Sequence, residues 1–138
     1  MPPPKNLQVL PKDLTADQVH DIMHGWAAAL GTNCSHCHAA DPNKIGPNGR
    51  PRLAFALDTK PEKATARLMF KMVQDINTNY ISMVEKSGAD KVKKSGTPVT
   101  CGTCHRGHVA PEPFVAPPDE DHDHHGPPPA DEKPPLPR

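Results

Sequence analysis

The four cysteines constrain this chain more than any other feature, because all of them lie in two short runs. Each run reads Cys-x-x-Cys-His, the first at residues 34–38 and the second at residues 101–105. Two cysteines three positions apart lie on one helical turn, where both thiols can bond to the two vinyl groups of one porphyrin. The next residue then offers an imidazole to the iron from the same side. The pattern predicts a c-type haem attachment site in each run.

Six side chains carry this prediction. The expected covalent attachment points are Cys34, Cys37, Cys101 and Cys104, and the expected proximal iron ligands are His38 and His105. Three alternatives use the same cysteines: a four-cysteine zinc site, a pair of thioredoxin-like redox motifs, or two disulfides. The 63 residues between the two Cys-x-x-Cys pairs disfavour a compact zinc module, and neither zinc nor disulfides require a histidine after each pair.

The composition leaves little material for a core of side chains. Of the 138 residues, 35% are hydrophobic and 4% aromatic, and ten of the 19 prolines fall in residues 111–138. A segment of that kind does not join a packed core. Two haems would supply the apolar volume that the remaining chain lacks.

The charge distribution and the lack of a long apolar run argue against nucleic acid and a membrane span. The formal net charge is zero overall, with residues 1–110 at +5 and residues 111–138 at −5. A body of +5 is too weakly basic for nucleic acid, and no run approaches the roughly 20 apolar residues of a membrane span. Haem is attached outside the cytoplasmic membrane, so we expect a periplasmic or extracellular protein whose signal peptide is not in this chain.

Two helices are predicted ahead of the attachment runs. Thr15 and Gln18 form a capping-box pattern at the start of the first, apolar residues follow at helical spacing, and Gly31 ends it. Thr59 and Pro61 open a second, longer helix that continues to about residue 85. Each helix contains methionine and precedes one attachment run.

These elements predict a mainly α-helical dihaem cytochrome. Two helix–loop–CxxCH units would pack around two covalent haems in residues 13–111, with residues 41–52 as loop because they hold three prolines and two glycines. Residues 1–12 and 112–138 are predicted to be extended N-terminal and C-terminal segments.

Several short elements outside the cysteines occur in a distinctive order. They are Asn6–Leu10, Ala29–Gly31, Ala66–Met69, Asp75–Asn77 and Val99–Gly107, with Pro111 beyond. Over residues 6–111 this order resembles the cytochrome subunit of photosynthetic reaction centres, and more closely the short dihaem members of that family from non-photosynthetic bacteria. The photosynthetic subunit has four haems in two pairs, so the resemblance implies a single pair here and no photosynthetic role.

The same resemblance implies that methionines on the helix before each attachment site are the distal iron ligands. These would be Met23 for the first haem and Met69 for the second. His24, adjacent to Met23, is the strongest rival at the first site, because imidazole also binds iron well. Met72, one turn after Met69, and His108, three residues after the second attachment run, are alternatives at the second site.

The predicted function follows from the expectation that protein side chains fill both axial positions of each iron. When protein side chains occupy both sides of the iron, no substrate reaches the metal, and the expected activity is outer-sphere electron transfer between redox partner proteins. Arg67 and Arg106 are candidate partners for haem propionates, because guanidinium binds carboxylates in a bidentate manner. A haem enzyme such as a peroxidase would need an open iron position and an acid/base residue, for which His20 is the candidate.

The composition of the C-terminal segment predicts a further possibility, a contact with a neighbouring subunit. Residues 117–129 combine prolines and acidic residues with His122, His124 and His125. Such a segment is extended when alone. We expect it to lie along a neighbouring subunit, where its histidines could approach that subunit's haem, and repeated contacts of this kind would form a homopolymer, a conducting filament. The alternative is a solvated acidic segment with weak metal binding.

Overall fold

The computed structural model describes residues 1–86 and 98–118. Within them the chain is mainly helical, with a small two-stranded sheet. The helices are α1 (Ala16–Leu30), α2 (Pro61–Asp75), a π-helical segment (Ile76–Ile81), α3 (Ser82–Lys86) and α4 (Cys101–His105). A single 3₁₀ turn covers Cys34–His36, and the strands are β1 (Ala40–Ile45) and β2 (Pro51–Leu53). The tail histidines and most of the predicted tail segment lie in residues 119–138, outside the described residues.

Helix α1 begins and ends where the sequence predicts. The Thr15 hydroxyl accepts a hydrogen bond from the Gln18 backbone N–H at 3.3 Å, and the Gln18 side-chain oxygen accepts one from the Thr15 N–H at 2.8 Å. Gly31 caps the other end in the left-handed conformation, with φ of 61°. The Trp26 ring lies 5.1 Å from the ring of Phe70 in α2, centroid to centroid, which connects the two long helices.

The second helical stretch differs from the prediction in two details. Its N-cap is Lys60 rather than Thr59, and Lys60 makes no side-chain capping bond, while Pro61 takes the first helical position as expected. The stretch also passes through the π-helical segment Ile76–Ile81 before α3. A π-turn accommodates an extra residue within a helix, and the apolar spacing of this segment did not reveal it.

The prediction of a loop at residues 41–52 is wrong, because β1 and β2 form an antiparallel hairpin with a register shift. Two of its prolines, Pro42 and Pro51, lie in the strands. A two-stranded sheet has an outer edge on both strands, so prolines without an N–H donor are tolerated there. The turn is closed by a hydrogen bond from the Gly46 N–H to the Arg50 carbonyl at 2.8 Å, and Gly49 has a φ of 72°.

The core is thin within the described residues. Leu10 is the one buried hydrophobic residue there, at 8% exposure. The segment before α1 contains neither helix nor strand, and it is anchored: the Asn6 amide donates to the Ala56 carbonyl at 2.8 Å and to Asp58 at 2.9 Å. No helix in the described part of the chain has the length and apolar character needed to cross a membrane.

Candidate functional site

The first attachment run forms a tight turn directly after α1. Cys34 begins the 3₁₀ turn and Cys37 caps it, and the His38 backbone N–H donates to the Cys34 carbonyl at 3.0 Å. The Lys60 ammonium donates to the Ser35 carbonyl, which connects this turn to the start of α2. Both cysteines and the histidine are therefore held within one turn, as the spacing predicts.

The imidazole of His38 is buried at the centre of this site. The residue is 9% exposed, and the Phe55 ring lies edge-on to it with centroids 5.1 Å apart. Its Nδ1 atom is buried and has no hydrogen-bond partner among the described residues. Burial lowers the pKa of His38, and the nearby Lys63 charge lowers it further, against a smaller opposing effect of the Phe55 backbone. These surroundings favour the neutral imidazole, which is the form that binds metals.

A buried lysine supports the loop that carries Phe55. Lys63 is 9% exposed, and its ammonium donates to the Phe55 carbonyl at 2.8 Å, the Leu57 carbonyl at 2.7 Å and the Asp58 carboxylate at 2.9 Å. These three contacts use all three donors of the ammonium group. Sequence analysis missed Lys63. A cation in the first turn of a helix opposes the helix dipole, and that unfavourable position was a signal that the lysine has partners outside the helix.

The carboxylate of Asp58 connects this lysine to the N-terminal segment. It accepts from Arg67 at 3.0 Å, from Lys63 at 2.9 Å and from the Asn6 amide at 2.9 Å. Hydrogen bonds from these three groups hold the pKa of Asp58 well below its usual range. Arg67 also donates to the Asn6 carbonyl at 3.3 Å, so the guanidinium has protein partners, and its binding to a propionate stays a prediction.

The second attachment run forms α4, whose N-terminus is capped by Thr100 and Thr103 in a reciprocal arrangement. Nδ1 of His105 donates to the His108 carbonyl at 2.9 Å. That bond places the proton on Nδ1 and leaves Nε2 with a free lone pair for a metal. Arg106, in the left-handed conformation with φ of 50°, ends the helix and lets the chain turn back toward His105.

The segment after α4 gives His108 and Arg106 partners of their own. The His108 ring lies 3.6 Å from the Glu112 carboxylate, and the Arg106 guanidinium donates to the Glu112 carbonyl at 2.9 Å. Both side chains belong to exposed residues. The contact of His108 with His105 is made by its backbone, and the assignments of Arg106 to a propionate and of His108 to iron stay predictions.

Helix α4 packs against the end of α1, which brings the two attachment runs into one structural unit. The Gly107 N–H donates to the Ala29 carbonyl at 2.8 Å. A Cβ atom at Gly31 would overlap the Gly107 carbonyl oxygen and lie 2.8 Å from its carbonyl carbon, so the two backbones touch. A Cβ at Gly102 would be 3.6 Å from the Ala29 methyl, which is ordinary contact.

A second connection reaches the residue ahead of α4 from the π-helical segment. The Asn77 amide donates to the Val99 carbonyl at 2.8 Å, and its oxygen accepts from the Val99 N–H at 2.7 Å. One side chain thus satisfies both backbone groups of Val99. Asn77 belongs to the element Asp75–Asn77, one of those on which the family resemblance rests, and the pairing with Val99 is its structural role.

The candidate distal ligands lie on α1 and α2, as expected. Met23 is half-buried, whereas His24 is exposed and packs against His20, with ring centroids 4.3 Å apart and the rings tilted by 48°. Met69 and Met72 are 39% and 46% exposed. The assignment of all four as iron ligands stays a prediction.

The structure also bears on the alternatives to haem attachment. None of the four cysteines forms a disulfide, and the described residues contain no group of three or more His, Cys, Asp or Glu side chains arranged to hold a metal ion. Burial raises the pKa of Cys37 and of Cys101. Cys101 is the first cysteine of its pair, the position of the nucleophile in a thioredoxin-like motif, so its raised pKa disfavours that alternative at the second run.

A cleft of about 760 Å³ adjoins Cys34. Its lining includes Arg50 and Arg52 from the hairpin, two cations that sequence analysis did not select because the segment was predicted to be a loop. The cleft is broad and open to solvent, and its lining joins the first attachment run to the hairpin.

Several observations together fit covalently attached haem. Both cysteine pairs lie on single turns, and the imidazole of His38, directly after the first pair, is buried. The apolar stripe of the second helical stretch is also largely uncovered, with Leu68 at 66%, Tyr80 at 62% and Met83 at 64% exposure. A large apolar group between these elements would cover such a stripe.

Comparison with known proteins agrees with this chemistry. The family model of the photosynthetic reaction centre cytochrome c subunit matches residues 5–128. The photosynthetic reaction center cytochrome c subunit of Rubrivivax gelatinosus is 28% identical over 99 residues, which is 70% of this chain and 24% of that protein. Cytochrome c-554 of Chloroflexus aurantiacus is 30% identical over 101 residues, 72% of this chain and 20% of that protein.

The chain therefore spans about a quarter or less of the length of these relatives. No solved structure matches it. Because the family model covers most of the chain, the protein belongs to the photosynthetic reaction centre cytochrome c subunit family, and this membership implies covalently bound c-type haem.

Proposed function

We propose that this protein transfers electrons outside the cytoplasm through two c-type haems, as a carrier or conduit between redox partner proteins. The observation that carries the proposal is the contact between α4 and the end of α1, with the hydrogen bond from Gly107 to Ala29 at 2.8 Å. It holds both attachment runs in one body, so two redox centres would lie within a short distance of each other. Bound haem supplies a one-electron redox centre, and the protein supplies attachment, axial ligands and a low-polarity environment.

The axial ligands follow from the residues at each site. His38 and His105 are the proximal ligands in this proposal, supported by the buried imidazole of the first and the Nδ1 hydrogen bond of the second. Met23 and Met69 are the distal ligands. His24 is disfavoured because its exposed ring packs against His20, and His108 because its ring lies beside the Glu112 carboxylate.

Haem content is the first test. The mature protein, produced in a host with a cytochrome c maturation system, should carry two haems by intact mass. The double variant Cys34→Ala/Cys37→Ala and the matched double variant Cys101→Ala/Cys104→Ala should each carry one. A mature wild-type protein with fewer than two haems contradicts the proposal.

Axial ligation and function are tested on the same preparation. The oxidised protein should show the weak methionine-to-iron band near the red end of the visible spectrum, and Met23→His and Met69→His should each remove part of it. Met83→Leu, a change at an exposed methionine outside the ligand set, should leave it intact. If neither haem shows the band, His24 and His108 become the ligands. Binding of cyanide or carbon monoxide by the resting protein would favour a haem enzyme instead.

A further inference from the structure

Lys63 is the most unusual charged residue in the described structure. It lies in the first turn of α2, where a cation opposes the helix dipole, and it is 9% exposed. A buried charge is stable only when it is paired and hydrogen-bonded, and Lys63 meets that condition through Phe55, Leu57 and Asp58. Helix propensity does not account for a buried lysine here, but its contacts with the loop do.

That loop connects Lys63 to the first attachment site. The Phe55 carbonyl accepts from Lys63, and the Phe55 ring lies edge-on to the His38 imidazole at 5.1 Å. Lys60 adds a second cation at this site, because its ammonium donates to the Ser35 carbonyl inside the first attachment run. The first site therefore has a positive electrostatic environment, and a lysine holds its aromatic wall in position.

The second site differs in the feature that controls the donor strength of the proximal histidine. Nδ1 of His105 donates to the His108 carbonyl at 2.9 Å, whereas Nδ1 of His38 has no acceptor among the described residues. A hydrogen bond from Nδ1–H strengthens electron donation by imidazole and so stabilises the oxidised metal. A nearby positive charge has the opposite effect and stabilises the reduced metal. Both differences raise the potential of the first site relative to the second.

We infer that Lys63 is a positioning residue for the first haem, holding Phe55 against His38, and that it makes this haem the one with the higher reduction potential. A single electron shared between the two centres then resides on the first haem, and electrons pass downhill from the second site to the first. The inference rests on the proposed function, because it requires haem at both sites.

The test is a potentiometric titration of the purified holoprotein followed by visible absorption. Wild type should show two one-electron waves. Lys63→Gln should lower the higher wave by about tenfold in its reduction equilibrium constant, which corresponds to about 59 mV. The lower wave should change by less than about twofold, because the charge lies at the other site. Lys71→Gln removes an exposed charge from the same helix and should move neither wave.

Two further variants separate charge from structural loosening. Asp58→Asn removes the carboxylate that offsets the Lys63 charge, so it should raise the higher wave, opposite to Lys63→Gln. Lys63→Arg keeps the charge and should retain the wild-type potential, and both variants still test the inference if Lys63→Gln does not fold. Any of three results overturns the inference. Lys63→Gln shifts the lower wave by more than about twofold, it shifts the higher wave no more than Lys71→Gln does, or Asp58→Asn lowers the higher wave as Lys63→Gln does. A preparation with fewer than two haems contradicts the proposed function instead.

Discussion

Replacing Gly31 with alanine should destabilise the protein more than any other glycine-to-alanine change in its described part. Gly31 caps α1 in the left-handed conformation, with φ of 61°, and its backbone touches Gly107 beyond the second attachment run. A methyl group at this position would overlap the Gly107 carbonyl oxygen, which is backbone and cannot rotate away. The substitution therefore acts on the contact that holds the two runs together.

Three effects determine the size of the loss. The left-handed conformation costs an alanine about 1–2 kcal/mol. Moving the Gly107 backbone to make room costs about 1–3 kcal/mol, by analogy with overpacking. Weakening the hydrogen bond from Gly107 to Ala29 adds about 0.5–1.5 kcal/mol. Together they predict a loss of about 2.5–6.5 kcal/mol in the free energy of unfolding, a large part of the roughly 5–15 kcal/mol of an ordinary domain.

Urea denaturation of the holoprotein, followed by far-ultraviolet circular dichroism and haem absorbance, measures this loss. Two matched controls isolate its causes. Gly49→Ala has a φ of 72° but open space around the added methyl, so it should lose only about 1–2 kcal/mol. Gly25→Ala lies in the middle of α1 with nothing within 4 Å, so it should gain about 0.5–1 kcal/mol. If Gly31→Ala is no less stable than Gly49→Ala, the close approach to Gly107 is refuted.

Three other predictions concern single contacts. The pKa of Asp58 is lowered in the folded state, so its contribution to stability is present above the ordinary aspartate pKa and is lost as pH falls below about 4; Asp58→Asn should flatten the pH dependence of the urea midpoint in that window, and an unchanged slope contradicts this. Asn77→Ala should cost about 1–3 kcal/mol by leaving both backbone groups of Val99 without their partner, a loss that the same denaturation assay detects. Glu112→Gln should change stability by less than about 1 kcal/mol, because its pair with His108 is exposed; a larger loss in urea would mean that this pair is a structural anchor.

Local patterns in the sequence predicted several features correctly because their causes are local. The capping residues Thr15 and Gln18 act within one turn of α1, and the Gly31 cap requires only the conformational freedom of glycine. The cysteine spacing likewise depends on the geometry of a single turn. The hairpin at residues 40–53 was missed because its prolines are strong loop signals, and only the pairing of two edge strands makes them acceptable.

The residues of the candidate site also divide into those with local causes and those that depend on the folded chain. The proposed attachment cysteines and proximal histidines come from the sequence alone, because covalent attachment demands fixed residue types at fixed spacing. The importance of Lys63 is not, since it depends on a loop that returns to α2 and presents two carbonyls to one ammonium. Arg50 and Arg52 are similar, because the hairpin brings them beside Cys34.

The sequence by itself determined the family, the number of attachment runs and the position of α1. Only the tertiary structure decided which residues support those runs: Gly107 against Gly31, Asn77 on Val99, and Lys63 beneath Phe55. The physical reason is range. Caps and attachment motifs act over three or four neighbouring residues, whereas the environment of each proximal histidine is formed by groups that meet only after the chain has folded.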